Sequence, residues 1–187
     1  GEYVPLKEWL WFILPAVPYA KGFDASDRAS LFRINGCTCG VLICFEDAFA
    51  RVVRRFIVRD DGPGADFLIN ISNDGWFKNS AELDQHLAIC AFRAVEFRTG
   101  IVRCTNTGIS GIISPDGRLQ AVIQDERGRR KEVSGVTLGR VRLRTETTFY
   151  ARHGDLLGVA CYAVGLAALL AWLLGPIGRR LLRRPRP

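Results

Sequence analysis

The stretch from Leu156 to Leu174 constrains the fold most strongly, because it contains no charged residue over 19 positions. An apolar helix of about 20 residues is long enough to cross the hydrocarbon core of a bilayer. Arginines follow it at positions 179, 180, 183, 184 and 186. By the positive-inside rule, the tail then lies in the cytoplasm and the preceding domain lies across the membrane. A buried core helix is the alternative, and the arginine cluster favours the membrane helix.

A second constraint lies at residue 44, where a run of β-forming residues ends in a cysteine. Residues 41–43 are Val-Leu-Ile without a polar break, as in a strand buried on both faces. Residues 48–58 have the apolar spacing of a helix. Cys44 therefore lies at a strand-to-helix turn, where the amino end of a helix favours the reactive thiolate. The alternative is a small buried apolar residue.

The remaining pattern predicts an α/β layered domain, because strand, helix, strand and helix are followed by several antiparallel strands. In the helix predicted at residues 81–97, Gln85, His86 and Arg93 lie off the apolar stripe, and we expect them at the surface. Strands are predicted at residues 31–34, 37–44, 66–71, 101–105, 109–114, 119–124 and 133–143.

Polar turn residues follow the strand that ends at residue 71. Asn73, Asp74 and Trp76 lie in this turn and, by the strand pattern, at the same sheet edge as Cys44. This placement makes all three candidate substrate-binding residues. The alternative is an ordinary turn at a helix amino end, with Trp76 as an anchor in the core.

Trp9 and Trp11 belong to a run of six large apolar residues at positions 9–14. The run is too short to span a bilayer. Two tryptophans separated by one residue suit a membrane interface or a lid over an apolar pocket, so we include both among the substrate-binding candidates. Ordinary core packing is the alternative.

Charge and cysteine content exclude two other classes of function. The net charge of +7 belongs mainly to the arginine-rich tail, so no nucleic-acid partner is expected. Six cysteines at irregular spacing do not form a disulfide framework in a chain of 187 residues. Only His86 and His153 could complete a zinc site with Cys37 and Cys39, so we predict no metal. The sequence lacks methionine, which suggests a fragment whose start lies upstream.

Five stretches together resemble the apolipoprotein N-acyltransferase family, in order and in spacing. The resemblance implies a nitrilase-like αββα sandwich, partial here, followed by one C-terminal transmembrane helix. It implies a bacterial inner-membrane enzyme with a periplasmic catalytic domain. We divide the chain into a truncated catalytic domain at residues 1–154, a membrane helix at 155–175 and a cytoplasmic tail at 176–187. The stretches are residues 1–5, 43–46, 72–77, 105–110 and 150–155.

The resemblance also implies a mechanism. Cys44 would take an acyl chain from a phospholipid as a thioester and pass it to the α-amine of a diacylglyceryl-cysteine on an apolipoprotein. Glu2 and Glu46 match supporting glutamates, and Phe45 stands where the family commonly has a substrate-facing tyrosine. No cofactor is implied. The family's general-base glutamate and its lysine would lie upstream of Gly1, so we expect this fragment alone to be inactive.

Two other functions remain open. A nitrilase- or amidase-type enzyme would hydrolyse small amides or nitriles with the same cysteine. A membrane-anchored domain without catalytic activity would only bind lipoprotein. The membrane segment and the apolar run at residues 9–14 disfavour the hydrolase.

Overall fold

The structure is a computed structural model that describes residues 29–182, with side chains described as far as residue 174. The chain divides into two compact units, Gly1–Arg152 and His153–Pro187. Each unit is described by itself below.

The first unit is built on one six-stranded mixed sheet whose strands lie in sequence order. The strands are β1 (Leu31–Ile34), β2 (Cys37–Ile43), β3 (Phe67–Ser72), β4 (Gly100–Thr105), β5 (Gly111–Ile113) and β6 (Leu119–Val122). The three strands β2, β3 and β4 are parallel, and the other neighbouring pairs are antiparallel. Asn35 and Gly36 connect β1 to β2 with positive φ at both positions, as a tight hairpin turn requires.

Two helices follow the parallel strands and pack on one face of the sheet. The helices are α1 (Ala50–Ile57) and α2 (Glu82–Phe97), and 3₁₀ turns at Cys44–Ala48 and Asp74–Phe77 precede them. Leu42, Leu68 and Ile101 point from the sheet into the core that these helices cover. At Gly40 a Cβ would lie 2.5 Å from the Phe56 ring, so the close approach of α1 requires glycine. The predicted α/β class is confirmed, and the described part of the sandwich is one sheet with one helical layer.

Residues 133–143, which we predicted to form a strand, are irregular in the structure. This prediction was wrong because the segment crosses a face of the sheet and does not extend its edge. A Cβ at Gly139 would lie 2.7 Å from the Ile112 side chain. At Arg144 the chain returns to the start of β3, where its backbone N–H donates to the Asp66 carbonyl at 2.7 Å.

The second unit contains the helix α4 (Leu156–Leu182), which follows the short helix α3 (Phe149–His153). The Leu156–Leu174 part has a mean hydropathy of 2.2 and is long and apolar enough to cross a membrane. Its large side chains, including Tyr162 and Trp172, are exposed in the chain alone. The predicted apolar C-terminal helix is therefore present as a candidate span.

Replacing Leu68 with alanine tests the core. Leu68 is fully buried between β3 and the helices, so the variant should lose about 2–5 kcal/mol of unfolding free energy. Leu138→Ala is a matched control, because Leu138 is 91% exposed. Thermal melting of the complete natural protein in detergent should show a clear drop in Tm for Leu68→Ala only. Equal drops for both variants would contradict the assigned core.

Candidate active site

Cys44 occupies a strained turn directly after β2. Its φ is +52°, in the left-handed region that residues other than glycine rarely adopt. Such a turn between strand and helix lifts a side chain out of the sheet edge, as the nucleophile elbow of α/β-hydrolases does. We refer to the turn at Cys44–Ala48 as the elbow. The Cys44 side chain is half-buried and reachable. Strain of this kind is typical of functional residues.

The helix dipole contributes less at this turn than the sequence suggested. Cys44 is the first residue of a 3₁₀ turn, and α1 begins only at Ala50. A single short turn aligns few peptide dipoles, so little positive potential reaches the sulfur from it. The position of Cys44 therefore matters more than its helix end.

Glu46 closes the same turn from the outside. One of its carboxylate oxygens accepts a hydrogen bond from the Ile43 backbone N–H at 2.7 Å. This bond spans the strained residue, from the last strand residue to the 3₁₀ turn. Glu46 therefore stabilises the conformation of the elbow through this hydrogen bond.

Asn70 holds the elbow from below. It lies on β3 beside Leu42 of β2 and Arg103 of β4. Its side-chain N–H donates to the Cys44 carbonyl at 3.0 Å, and its oxygen accepts from Arg103 at 2.6 Å. A buried asparagine amide with both ends engaged has one orientation, which fixes the Cys44 carbonyl.

A cluster of charged side chains is buried directly beneath the elbow. The His86 ring lies between two carboxylates, with Nε2 3.1 Å from Asp47 and Nδ1 3.1 Å from Asp74. The Arg103 guanidinium lies 3.0 Å from Asp74 and 3.5 Å from Asp47. All four side chains are buried. The cluster thus contains two acids and two bases, which allows its charges to balance.

The contacts in this cluster shift the pKa of His86 and of Asp74. Burial alone would lower the pKa of His86, but hydrogen bonds to Asp47 and Asp74 outweigh it and raise the pKa to about 9. Burial pushes the pKa of Asp74 upwards, and bonds from His86, Ser72 and Arg103 overcome this and lower it. His86 is therefore an imidazolium at neutral pH, with one N–H donor for each carboxylate.

The burial of His86 corrects our expectation of a surface residue. Leu83, Cys90, Ala94 and Phe97 form the buried face of α2, and His86 lies three and four residues from the first two. It therefore shares their stripe. Gln85 is exposed, as predicted, and Arg93 pairs with Glu96.

The polar turn after β3 is placed beside the elbow, but its side chains are mostly engaged. Asp74 is fully buried in the charged cluster, with no surface of its own. The Asn73 side chain accepts hydrogen bonds from Gly75 N–H and from Asn106. These contacts support positioning roles for Asn73 and Asp74.

The aromatic candidates remain open to solvent. Trp76 is 79% exposed, and Phe45 is 43% exposed with its ring 5.4 Å from the His86 ring. Phe45 and Phe77 line a shallow pocket together with Ile89 on α2. Glu2, Trp9 and Trp11 lie outside the described residues. Within the described range, no group of three or more metal-ligating side chains is arranged to hold a metal ion.

Sequence reasoning missed Asn70, Asp47 and Arg103 as well as His86. One signal was available: Asn70 and Arg103 interrupt strands that are otherwise apolar. A polar residue buried in such a strand requires a partner. The sequence therefore indicated that Asn70 and Arg103 could be hydrogen-bond partners of each other.

Comparison with known proteins places the chain in a family. The carbon-nitrogen hydrolase model matches residues 4–143, which is most of the chain. The chain belongs to the carbon-nitrogen hydrolase family.

Curated relatives confirm the resemblance found from the motifs. The apolipoprotein N-acyltransferase of Geobacter metallireducens is 34% identical over 171 residues, covering 91% of this chain and 31% of the relative. That of Bordetella bronchiseptica is 34% identical over 189 residues, covering 100% of this chain and 32% of the relative. The chain thus spans about a third of the length of these relatives.

Solved structures with similarity to the chain include other carbon-nitrogen hydrolases. The superfamily protein XC1258 from Xanthomonas campestris has a TM-score of 0.44 and 19% identity, over 54% of this chain and 41% of that one. The NitN amidase from Nesterenkonia sp. AN1 has a TM-score of 0.47 and 14% identity, over 76% and 52% of the two chains.

The raised pKa of His86 predicts a pH-dependent stability. A base whose folded pKa of about 9 exceeds its ordinary 6.5 stabilises the fold fully below pH 6.5, and this contribution is lost as the pH rises through 9. Melting temperatures of the complete natural protein should therefore fall across this window. His86→Gln should be less stable at pH 6.5 and should show a flatter profile.

His153→Gln is the control for this pH profile, because His153 is exposed and lies outside the charged cluster. Its profile should follow that of the parent protein. A His86→Gln profile with the same slope as the parent would show that His86 is not the titrating group.

Proposed function

We propose that this chain provides the nucleophile of an enzyme that N-acylates the diacylglyceryl-cysteine of apolipoproteins, with a phospholipid as acyl donor. The observation that carries the proposal is the Cys44 thiol, held at a strained elbow and surrounded by exposed apolar side chains. Relatives named apolipoprotein N-acyltransferase support it over most of the chain. The exposed apolar side chains at the ends of β2 and β3 and in the turns that follow them are Ile43, Phe45, Phe49, Ile71, Trp76 and Phe77.

In the proposed first step, the Cys44 thiolate attacks the ester carbonyl of the phospholipid. The ester C–O bond breaks and a thioester forms, and the proton that the Cys44 thiol gave up passes to the lysophospholipid oxygen as it leaves. In the second step, the free α-amine of the acceptor attacks the thioester carbonyl. The C–S bond breaks, an amide forms, and the amine proton restores the thiol. A covalent intermediate thus divides one difficult transfer into two easier ones.

The apolar surroundings of the thiol favour a lipid donor over a small amide. Exposed aromatic side chains beside Cys44 offer contact area to a fatty acyl chain, and each buried methylene is worth about 0.8 kcal/mol. They would also keep water from the thioester until the amine arrives. Hydrolysis of a small amide remains the second candidate, because the family match is to carbon-nitrogen hydrolases.

Cys44→Ser tests the acyl transfer in the complete natural protein, incubated with labelled phospholipid and a diacylglyceryl peptide. The parent should carry labelled acyl on Cys44 and increase the mass of the peptide by one acyl group. Cys44→Ser should lose both signals, because the thioester cannot form. Mass spectrometry of the protein and the peptide measures both.

Cys104→Ser is the matched control, since Cys104 is an exposed cysteine on β4, which is separated from β2 by β3. It should retain both signals. Release of ammonia from small amides without acyl transfer would favour the hydrolase. Binding of lipoprotein without any gain in mass would favour a domain without catalytic activity.

We further propose that residues 1–154 form the catalytic domain on the periplasmic side of the inner membrane, with 155–175 spanning it and 176–187 in the cytoplasm. The support is the apolar segment Leu156–Leu174 and the arginines after it. Protease added outside spheroplasts should cleave the domain and leave the tail protected. Cleavage of the tail from outside, with the domain protected, would reverse the orientation.

A further inference from the structure

We propose that Asn70 and Arg103, together with His86, are positioning residues that set the geometry of Cys44 through its backbone. This inference rests on the proposed role of Cys44 as nucleophile. All three side chains are buried, and His86 also lies at the wall of the pocket that Phe45 and Phe77 line. Their contacts lead to the two ends of the turn that carries the sulfur.

The first end of the turn is held at the Cys44 carbonyl. Asn70 donates to this carbonyl at 3.0 Å, and Arg103 fixes the amide of Asn70 through a bond of 2.6 Å. The register of the sheet makes this possible, since Leu42, Asn70 and Arg103 lie side by side on β2, β3 and β4. The Arg103 guanidinium therefore fixes the direction of the hydrogen bond from Asn70 to the Cys44 carbonyl.

The second end of the turn is held three residues later, at Asp47. His86 on α2 lies 3.1 Å from the Asp47 carboxylate, and Arg103 lies 3.5 Å from its other oxygen. The turn is thus held at the Cys44 carbonyl, through Asn70, and at the Asp47 carboxylate, and the Arg103 guanidinium contacts both Asn70 and Asp47. A residue at φ +52° keeps that conformation only where its surroundings determine it fully.

The same cluster also fixes the neighbouring loop. Asp74 accepts from Arg103 and lies 3.1 Å from His86, and it opens the turn that carries Trp76 and Phe77. At Gly108 a Cβ would lie 2.1 Å from the Asp74 carboxylate, so the loop after β4 closes over this group. The nucleophile and the apolar loop beside it therefore share one buried support.

Two variants separate positioning from a mere loss of charge balance. Asn70→Asp keeps an acceptor for Arg103 but removes the donor to the Cys44 carbonyl. Arg103→Lys keeps the positive charge near Asp47 and Asp74 but loses the fork that also reaches Asn70. Thr99→Val is the control, because Thr99 is equally buried, its hydroxyl has no hydrogen-bond partner among the described residues, and it directly precedes β4, at the end away from Arg103.

The primary measurement is the single-turnover rate of Cys44 acylation in the complete natural protein, at a temperature where circular dichroism shows each variant folded. Misplacement of a reacting group by about 1 Å can cost about 100-fold in rate. We expect both variants to slow acylation by about 10- to 100-fold, with an unchanged half-saturating donor concentration. Thr99→Val should match the parent.

Each other pattern of results overturns the inference. Parent-like rates in both variants would mean that the network only stabilises the fold. A slow Asn70→Asp with a normal Arg103→Lys would mean that the new carboxylate acts on the thiol by charge alone. A raised half-saturating concentration with a normal maximal rate would assign the network to donor binding.

A lipid-independent readout separates this inference from the proposed function. Iodoacetamide labels both Cys44 and the exposed Cys104, and mass spectrometry gives their ratio within one molecule. Release of the elbow lets Cys44 relax from its strained φ and turns its side chain away, so the ratio should fall about tenfold in both variants. If the parent forms no thioester, the proposed function fails, while the labelling ratio still tests the positioning. An unchanged ratio would overturn the positioning alone.

Discussion

The balance of four buried charges is the interaction on which this end of the sheet depends. Asp47, Asp74, His86 and Arg103 are all within 2% of full burial. Moving an ion out of water costs several kcal/mol even after relaxation, so none of the four could stay there without the others. Protonation of His86 completes the balance, because the Arg103 charge alone does not neutralise two carboxylates. The cluster therefore exists as a unit.

Its value lies in geometry more than in stability. Buried ion pairs contribute little net free energy compared with apolar packing of the same volume. The stability of this unit comes from the apolar core on the same face of the sheet, where Leu42, Leu68 and Ile101 pack under α1 and α2. The hydrogen bonds and ion pairs of the cluster fix the Cys44 carbonyl and the turns after β2 and β3 in one arrangement. Apolar contacts, which have no preferred direction, would define this arrangement less strictly. The apolar core stabilises the sheet, and the charged cluster determines the conformation of the turns that follow β2 and β3.

The sequence was informative where one local pattern decides the structure. The run before Cys44, the hairpin at Asn35 and the uncharged helix after Leu156 were all predicted from neighbouring residues. The buried cluster beneath Cys44 was not predicted, because it joins side chains that are up to 56 positions apart in the sequence, from Asp47 to Arg103. A pattern that treats His86 as polar and hence exposed fails wherever a partner of opposite charge is supplied from a distant strand.

The elbow thus separates two unlike environments. On its buried side lie hydrogen-bonded polar groups with fixed orientation. On its solvent side, the aromatic side chains of Phe45, Trp76 and Phe77 are exposed. On the proposed function this division has a consequence for the order of events. A rigid interior keeps the sulfur in position through two successive attacks, while an apolar exterior holds a fatty chain and discourages water from the thioester. An enzyme that hydrolyses small amides needs the first property but not the second, and the exposed aromatic surface is the feature that separates the two chemistries.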